Sequence, residues 1–167
     1  VTEGTRSLLI GCHSFIMHPL MVIKAWRWWF GHWPKPWQII CIVVHDWGVA
    51  GRQYLSNNNA KYGHWMLGAV IAKKLFGDKG SAFVAGHTPE SSEQGWVRSD
   101  LWYADKASWL VAPLWWLWLN YRLEKFQVSH PHQWRVIIAK NLRDDLASGG
   151  NNHFGGHQLY LDEMKDK

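Results

Sequence analysis

Six polar residues interrupt otherwise apolar stretches of this chain: His18, the adjacent pair His45-Asp46, His64, His87 and Asp105. The pair ends the run Ile39-Ile40-Cys41-Ile42-Val43-Val44, which is apolar at every position, and Trp47 and Gly48 follow it. Such a run is buried on all sides. A carboxylate beside an imidazole at its end is costly unless an arginine, a helix cap or a metal ion pairs with them. Four imidazoles and two carboxylates form a mixed nitrogen and oxygen donor set, suited to Fe, Mn, Zn or Co rather than to Ca or Mg alone. Asp46 is placed to bridge two cations while His45 binds one of them. Two neighbouring cations can hold a hydroxide at neutral pH and neutralise a phosphate, so no separate protein nucleophile is needed.

Groups so far apart in sequence meet only if the elements carrying them converge. Residues 5–17 read as a short apolar helix leading to His13. Pro19 fits the first position of a second helix, which runs through Val22, Trp26 and Trp29 and stops at Gly31. After a stiff connection at Pro34 and Pro36, residues 37–46 read as a buried helix and residues 48–59 as a loop. A long helix over 60–76 is closed by Gly77, and a shorter one covers 81–87. Residues 88–94 read as a polar loop over the site, and 97–112 as a helix. Pro113 starts or kinks the next helix, to about Phe126, and Pro131-His132 opens a last one, to about Leu146. No strand pattern or repeat stands out. The expected fold is all-α, a single helical bundle over 1–150 with a tail over 151–167, its polar groups on different helices as in bundle-core sites.

The order His18…His45-Asp46…Asp105 resembles the signature of the HD superfamily of metal-dependent phosphohydrolases. His64, in His64-Trp65-Met66-Leu67-Gly68-Ala69, and His87, in Gly86-His87-Thr88, match the extra histidines of its two-metal branch. Ala104-Asp105-Lys106 resembles the bacterial HD proteins that hydrolyse diadenosine tetraphosphate. The resemblance covers about residues 13–112. It implies an HD-type bundle holding divalent transition metal, two ions of Fe, Mn, Co or Zn, on His18, His45, Asp46, His64, His87 and Asp105. It also implies hydrolysis of a phosphoester or phosphoanhydride in a dinucleoside polyphosphate, a nucleoside phosphate or a cyclic nucleotide signal, by a hydroxide held on metal. Asp46 and Lys106 are the expected catalytic residues. Lys106 is the first candidate for steadying the phosphate, with Arg98 and Lys61 as further substrate-binding candidates. His18 is followed by Pro19 where the family continues with Ser or a similar residue, so His13 stands as the alternative first ligand, with His18 preferred. The Trp-rich segment from Leu114 onward matches nothing in the family.

Composition bounds these expectations. With 47% hydrophobic and 19% charged residues the chain is not of the disordered class, and 167 residues suffice for one domain with a real core. A net charge of +5 favours an anionic partner such as a nucleotide. The positive charges form no block of five or six, so no stable nucleic-acid complex is expected. Cys12 and Cys41 lie in apolar settings without CxxC or zinc-finger spacing, which fits a reducing, cytoplasmic location. The first six residues lack the shape of a signal peptide. The apolar stretch 109–119 is shorter than the roughly 20 residues a spanning helix needs, and Pro113 interrupts it, so membrane contact is not expected. Its tryptophans at 109, 115, 116 and 118 are core or an oligomer face. His32, His130, His132, His153 and His157 read as ordinary histidines. Two other readings stand beside the enzyme: a non-catalytic metal- and nucleotide-binding module, and a Trp-rich peripheral membrane or assembly protein. Six ordered ligand types favour the enzyme, since a pure binder does not need them all.

Overall fold

The computed structural model describes residues 8–11, 13–49, 58–124 and 130–147. These residues are all-α: α1 (Met17–Phe30), α2 (Pro36–Val44), α3 (Asn58–Ala85), α4 (Pro89–Ser92), α5 (Asp100–Val111), α6 (Leu114–Glu124) and α7 (Pro131–Ala147), with no strand among them. The tail over 151–167 and most of the loop expected after Gly48 lie outside the described residues.

The expected helix over 5–17 does not form where the chain is described. Residues 8–11 and 13–16 make a reversal instead, in which the Phe15 N–H donates to the Leu8 carbonyl at 2.8 Å and the Met17 N–H to the Leu9 carbonyl at 3.3 Å. Ser14 is the physical reason. Its hydroxyl accepts from the backbone N–H of Met17 at 3.1 Å and of His18 at 3.2 Å, occupying donors that the first turn of a helix leaves without partners. Pro19 therefore stands inside the first turn of α1 rather than at its first position, still where a missing N–H does no harm.

The other boundaries follow local chemistry. Gly31 ends α1 in the left-handed region with φ 75°, and its N–H donates to the Arg27 carbonyl. Pro36 opens α2, whose start is tied by the Lys35 N–H donating to Gln38 Oε1 at 2.8 Å. The helix ends at Val44, and a 3-10 turn over Trp47–Val49 carries the chain away from His45-Asp46. α3 is two helical halves broken at Gly77, φ 68° and ψ −156°. Part of the expected polar loop over 88–94 is the short helix α4, where Thr88 Oγ1 accepts the Ser91 N–H and Pro89 takes the first position. α5 begins at Asp100 rather than at Val97.

Two apolar cores share α1 and α5. One gathers Trp29, Tyr103, Leu110, Trp116, Ile138 and Leu142; the other Val22, Trp26, Ile42, Trp65, Phe83 and Leu101. Trp109 stacks on Trp116 at 5.8 Å and Trp29 on Tyr103 at 6.0 Å, each pair worth about 0.5–1.5 kcal/mol beyond the area it buries. Of the tryptophan stripe, then, Trp109 and Trp116 are core, Trp118 is half-buried against His130 and Trp115 is exposed. Pro113 separates α5 from α6, and no described helix is long and apolar enough to cross a membrane.

Around the end of α2 the packing is backbone on backbone. A Cβ on Gly68 of α3 would lie 2.5 Å from the Val44 carbonyl oxygen and 2.8 Å from that of His45. A Cβ on Gly48 would lie 2.0 Å from the His64 carbonyl oxygen. Only glycine permits such an approach, and it sets the His45-Asp46 turn directly against the first half of α3.

Candidate metal centre

The first turn of α1 carries His18, the end of α2 carries His45 and Asp46, α3 carries His64, the residues just beyond α3 include His87, and α5 carries Asp105. All six are buried between the two cores, none more than 7% exposed. Their donor atoms converge as two overlapping groups, His18/His45/Asp46/Asp105 and Asp46/His64/His87. Asp46 belongs to both. Its Oδ2 lies 3.2 Å from His18 Nε2 and 3.3 Å from His45 Nε2, while its Oδ1 lies 3.3 Å from His87 Nε2 and 3.7 Å from His64 Nε2. Asp105 Oδ1 closes the first group, 3.2 Å from His18 Nε2 and 3.8 Å from His45 Nε2.

These atoms suit cations better than one another. The His45 Nδ1–H donates to the Ile42 carbonyl at 2.6 Å and the His87 Nδ1–H to the Val84 carbonyl at 2.5 Å. A carbonyl only accepts, so each Nδ1 carries a proton and each Nε2 turns inward, as a bare lone pair once the ring is neutral. The inward atoms meet other imidazole nitrogens at 3.3 Å, His18 Nε2 against His45 Nε2 and His64 Nε2 against His87 Nε2. Donors about 2.1 Å from a common ion stand roughly 3.0–3.4 Å apart at octahedral or tetrahedral angles, close to the spacing here. Backbone carbonyls that orient ligating imidazoles through the opposite nitrogen are the usual outer shell of a metal site. The residues present fit divalent metal, with room for two ions.

The two groups differ in charge. Burial lowers the basicity of His18 and His45, but both lie between two carboxylates. There Asp46 and Asp105 overcome burial, raising His18 and pushing His45 up to about 10. His87 faces Asp46 alone, and burial prevails, bringing it down to about 4. Burial raises the carboxyls of Asp46 and Asp105, yet His45 beside the first and Lys106 beside the second hold both well below the usual range. The same nearby charges that hold these protons would hold a cation.

The remaining sequence candidates divide. Lys106, about a third exposed, donates from Nζ to Asp105 Oδ2 at 3.0 Å. Burial works against its charge, but Asp105, then Asp46 and Glu90, hold it above its ordinary range. Arg98 instead meets Asp145 of α7 at 2.5 Å and lies over the Trp102 ring at 4.2 Å. The side chain of Lys61 lies outside the described residues. His13 sits behind His18, ring centroids 5.6 Å apart, and belongs to neither converging group; burial brings it down to about 3. His32, His130 and His132 are also outside both groups.

Sequence reasoning missed three contributors: Ser14, the carbonyl clamps at Ile42 and Val84, and Glu90, which is buried in α4 and bears on Lys106. The stretch Thr88-Pro89-Glu90-Ser91 carries the signal for the last, a capping threonine, a proline and an acid opening a helix. Comparisons of the chain with family models, with curated proteins and with solved structures gave no match.

Proposed function

We propose that this protein is a metal-dependent phosphohydrolase that cleaves a phosphoester or phosphoanhydride bond in a nucleotide. One observation carries the reading: the Asp46 carboxylate is divided between two buried donor sets, Oδ2 toward His18 and His45, Oδ1 toward His64 and His87. A bridging carboxylate among imidazoles is the arrangement that two-cation hydrolysis needs, and the resemblance to the two-metal HD phosphohydrolases supports the same assignment.

His18, His45, Asp46 and Asp105 would hold one cation, and Asp46, His64 and His87 the other. When bound, two such cations activate water at neutral pH and neutralise phosphate charge. The chain's own residues do the rest. The Ile42 and Val84 carbonyls fix the rings of His45 and His87, so each Nε2 is aimed into the cluster before anything binds. Lys106 holds Asp105 in place and, being partly exposed, presents an ammonium at the edge of the buried cluster where a phosphate oxygen can meet it. Arg98 contributes indirectly, by fixing Trp102. A nucleotide substrate and a cytoplasmic setting belong to this proposal.

The test is direct. Protein purified without chelator is assayed for bound metal, then for phosphate release from nucleoside phosphates, dinucleoside polyphosphates and cyclic nucleotides with added Mn²⁺, Fe²⁺ or Co²⁺. Bound transition metal and metal-dependent turnover of at least one nucleotide are expected. Protein that neither holds nor takes up metal, or holds it and turns over nothing in the panel, overturns the reading.

A further inference from the structure

Helices α5 and α7 enclose a cavity of about 160 Å³ beside the candidate metal centre. Trp102 and Lys106 line one wall, and Ile138, Asn141, Leu142 and Asp145 the other. The link to the centre is Lys106, whose side chain lines the cavity while its Nζ sits 3.0 Å from Asp105 Oδ2. We infer that this cavity receives the heteroaromatic base of a nucleoside phosphate whose phosphate lies at the metal centre; the inference deepens the phosphohydrolase reading and rests on it.

Three observations support a base rather than another group. The first is wall chemistry. Trp102 offers an indole, Ile138 and Leu142 are apolar, and Asn141 and Asp145 add an amide and a carboxylate, acceptors and donors suited to the edge of a flat ring. The second is rigidity. The Arg98 guanidinium, just ahead of α5, lies over the Trp102 ring at 4.2 Å and is tied to Asp145 of α7 at 2.5 Å, so the aromatic wall is set before a ligand arrives. The third is size. Pockets for whole drug-sized ligands are about 300–1,000 Å³; a cavity of about 160 Å³ accepts one ring system and leaves sugar and phosphate outside. Lys106 then stands between base and metal centre, in reach of both. An acyl chain would find an amide, a carboxylate and an ammonium in the wall, each of which it would desolvate without replacement.

The experiment has two arms on the full chain. In the first, adenosine and guanosine, which carry no phosphate, are titrated into metal-free protein and the Trp102 indole N–H is followed by NMR, its signal assigned by its loss in Trp102→Leu. Saturable shifts of that signal are expected, and Asn141→Trp, a substitution at an exposed rim position, should abolish them by filling the cavity. In the second, kcat/KM of metal-loaded protein is compared for a nucleotide and for p-nitrophenyl phosphate. Both variants should lower the ratio about tenfold, the scale of one lost base–aromatic stack. Nucleosides that leave the Trp102 signal unmoved, or a ratio untouched by both variants, overturn the inference. Protein that hydrolyses neither substrate overturns the phosphohydrolase reading instead, while the nucleoside titration still decides what the cavity binds.

Discussion

His18 and His45, 27 positions apart in sequence, point their Nε2 atoms at each other across 3.3 Å. The His45 Nδ1–H is already given to the Ile42 carbonyl, so neutral His45 brings only a lone pair to that contact. A proton or a cation must stand between the rings, and the two carboxylates that flank them, Asp46 and Asp105, supply charge for either. The consequences for the other ligands can be measured.

Asp46→Ala should cost both ions and hydrolysis together. No other described side chain places one oxygen against each histidine pair. Losing several kcal/mol of charge stabilisation, about 4, lowers the rate roughly a thousandfold. His132→Ala, outside both groups, is the control and should keep its metal. Elemental analysis and turnover on the two variants decide it, and equal behaviour contradicts the assignment.

The histidines should separate into two classes. The first group has two carboxylates, whereas the second has only its share of Asp46. His64→Ala and His87→Ala should therefore lose one ion and keep the other, with turnover down about a thousandfold. His18→Ala and His45→Ala should weaken the tighter ion. His13→Ala, behind His18 but outside the donor set, should be mild. Metal-to-protein ratios after dialysis give the answer; full metal and activity in both the His64 and His87 variants would leave a mononuclear site.

How much of this was legible in the sequence differs between the fold and the site. Gly31, Gly77 and Pro131 punctuate the helices where their backbone preferences require, and the residues that converge in the buried cluster were readable because they break apolar runs. Ser14 reversed the expectation for residues 8–16, because a local side-chain cap outweighed an apolar stretch with helical appearance. The partner of Arg98 is Asp145, 47 positions away, and no local pattern encodes such a pairing. Gly68 was equally silent. Within a helix it reads as a weak position, and only packing against Val44 and His45 gives it meaning.

Gly68→Ala should accordingly damage the centre without touching a ligand. The added methyl would sit 2.5 Å from the Val44 carbonyl oxygen, and backbone cannot step aside as a side chain can. A loss of about 2–4 kcal/mol is expected, at or above the usual cost of overpacking, with weaker retention of metal. Gly63→Ala, on the same helix with its nearest neighbour the Met66 sulfur at 3.7 Å, should be neutral or stabilise by about 0.5–1 kcal/mol. Thermal melts and metal content of the pair distinguish close packing from helix propensity.

Proton release should tell the two ions apart. At pH 7 the metal-free His45 is protonated, since the flanking carboxylates push it up to about 10 despite burial; His87, brought down to about 4, is neutral. Ligands must be deprotonated to bind metal. The ion held by His18 and His45 therefore displaces imidazole protons, and its affinity should rise about tenfold per pH unit for each proton displaced. Binding at His87 meets no imidazole proton there above about pH 5, so that interaction adds no such slope. The linkage to folding has the matching sign. A raised imidazole stabilises the metal-free fold fully below its unfolded value of about 6.5 and loses that contribution as the pH climbs toward 10. Metal-free protein should thus melt lower at pH 9 than at pH 6.5, while metal-loaded protein should gain. Titration calorimetry in buffers of different ionisation enthalpy counts the protons: His87→Ala should keep the release of the wild type, and His45→Ala should release fewer, losing the proton that His45 itself carries. A wild-type protein that binds its first ion at pH 7 without releasing protons would contradict the charge assignment at His45.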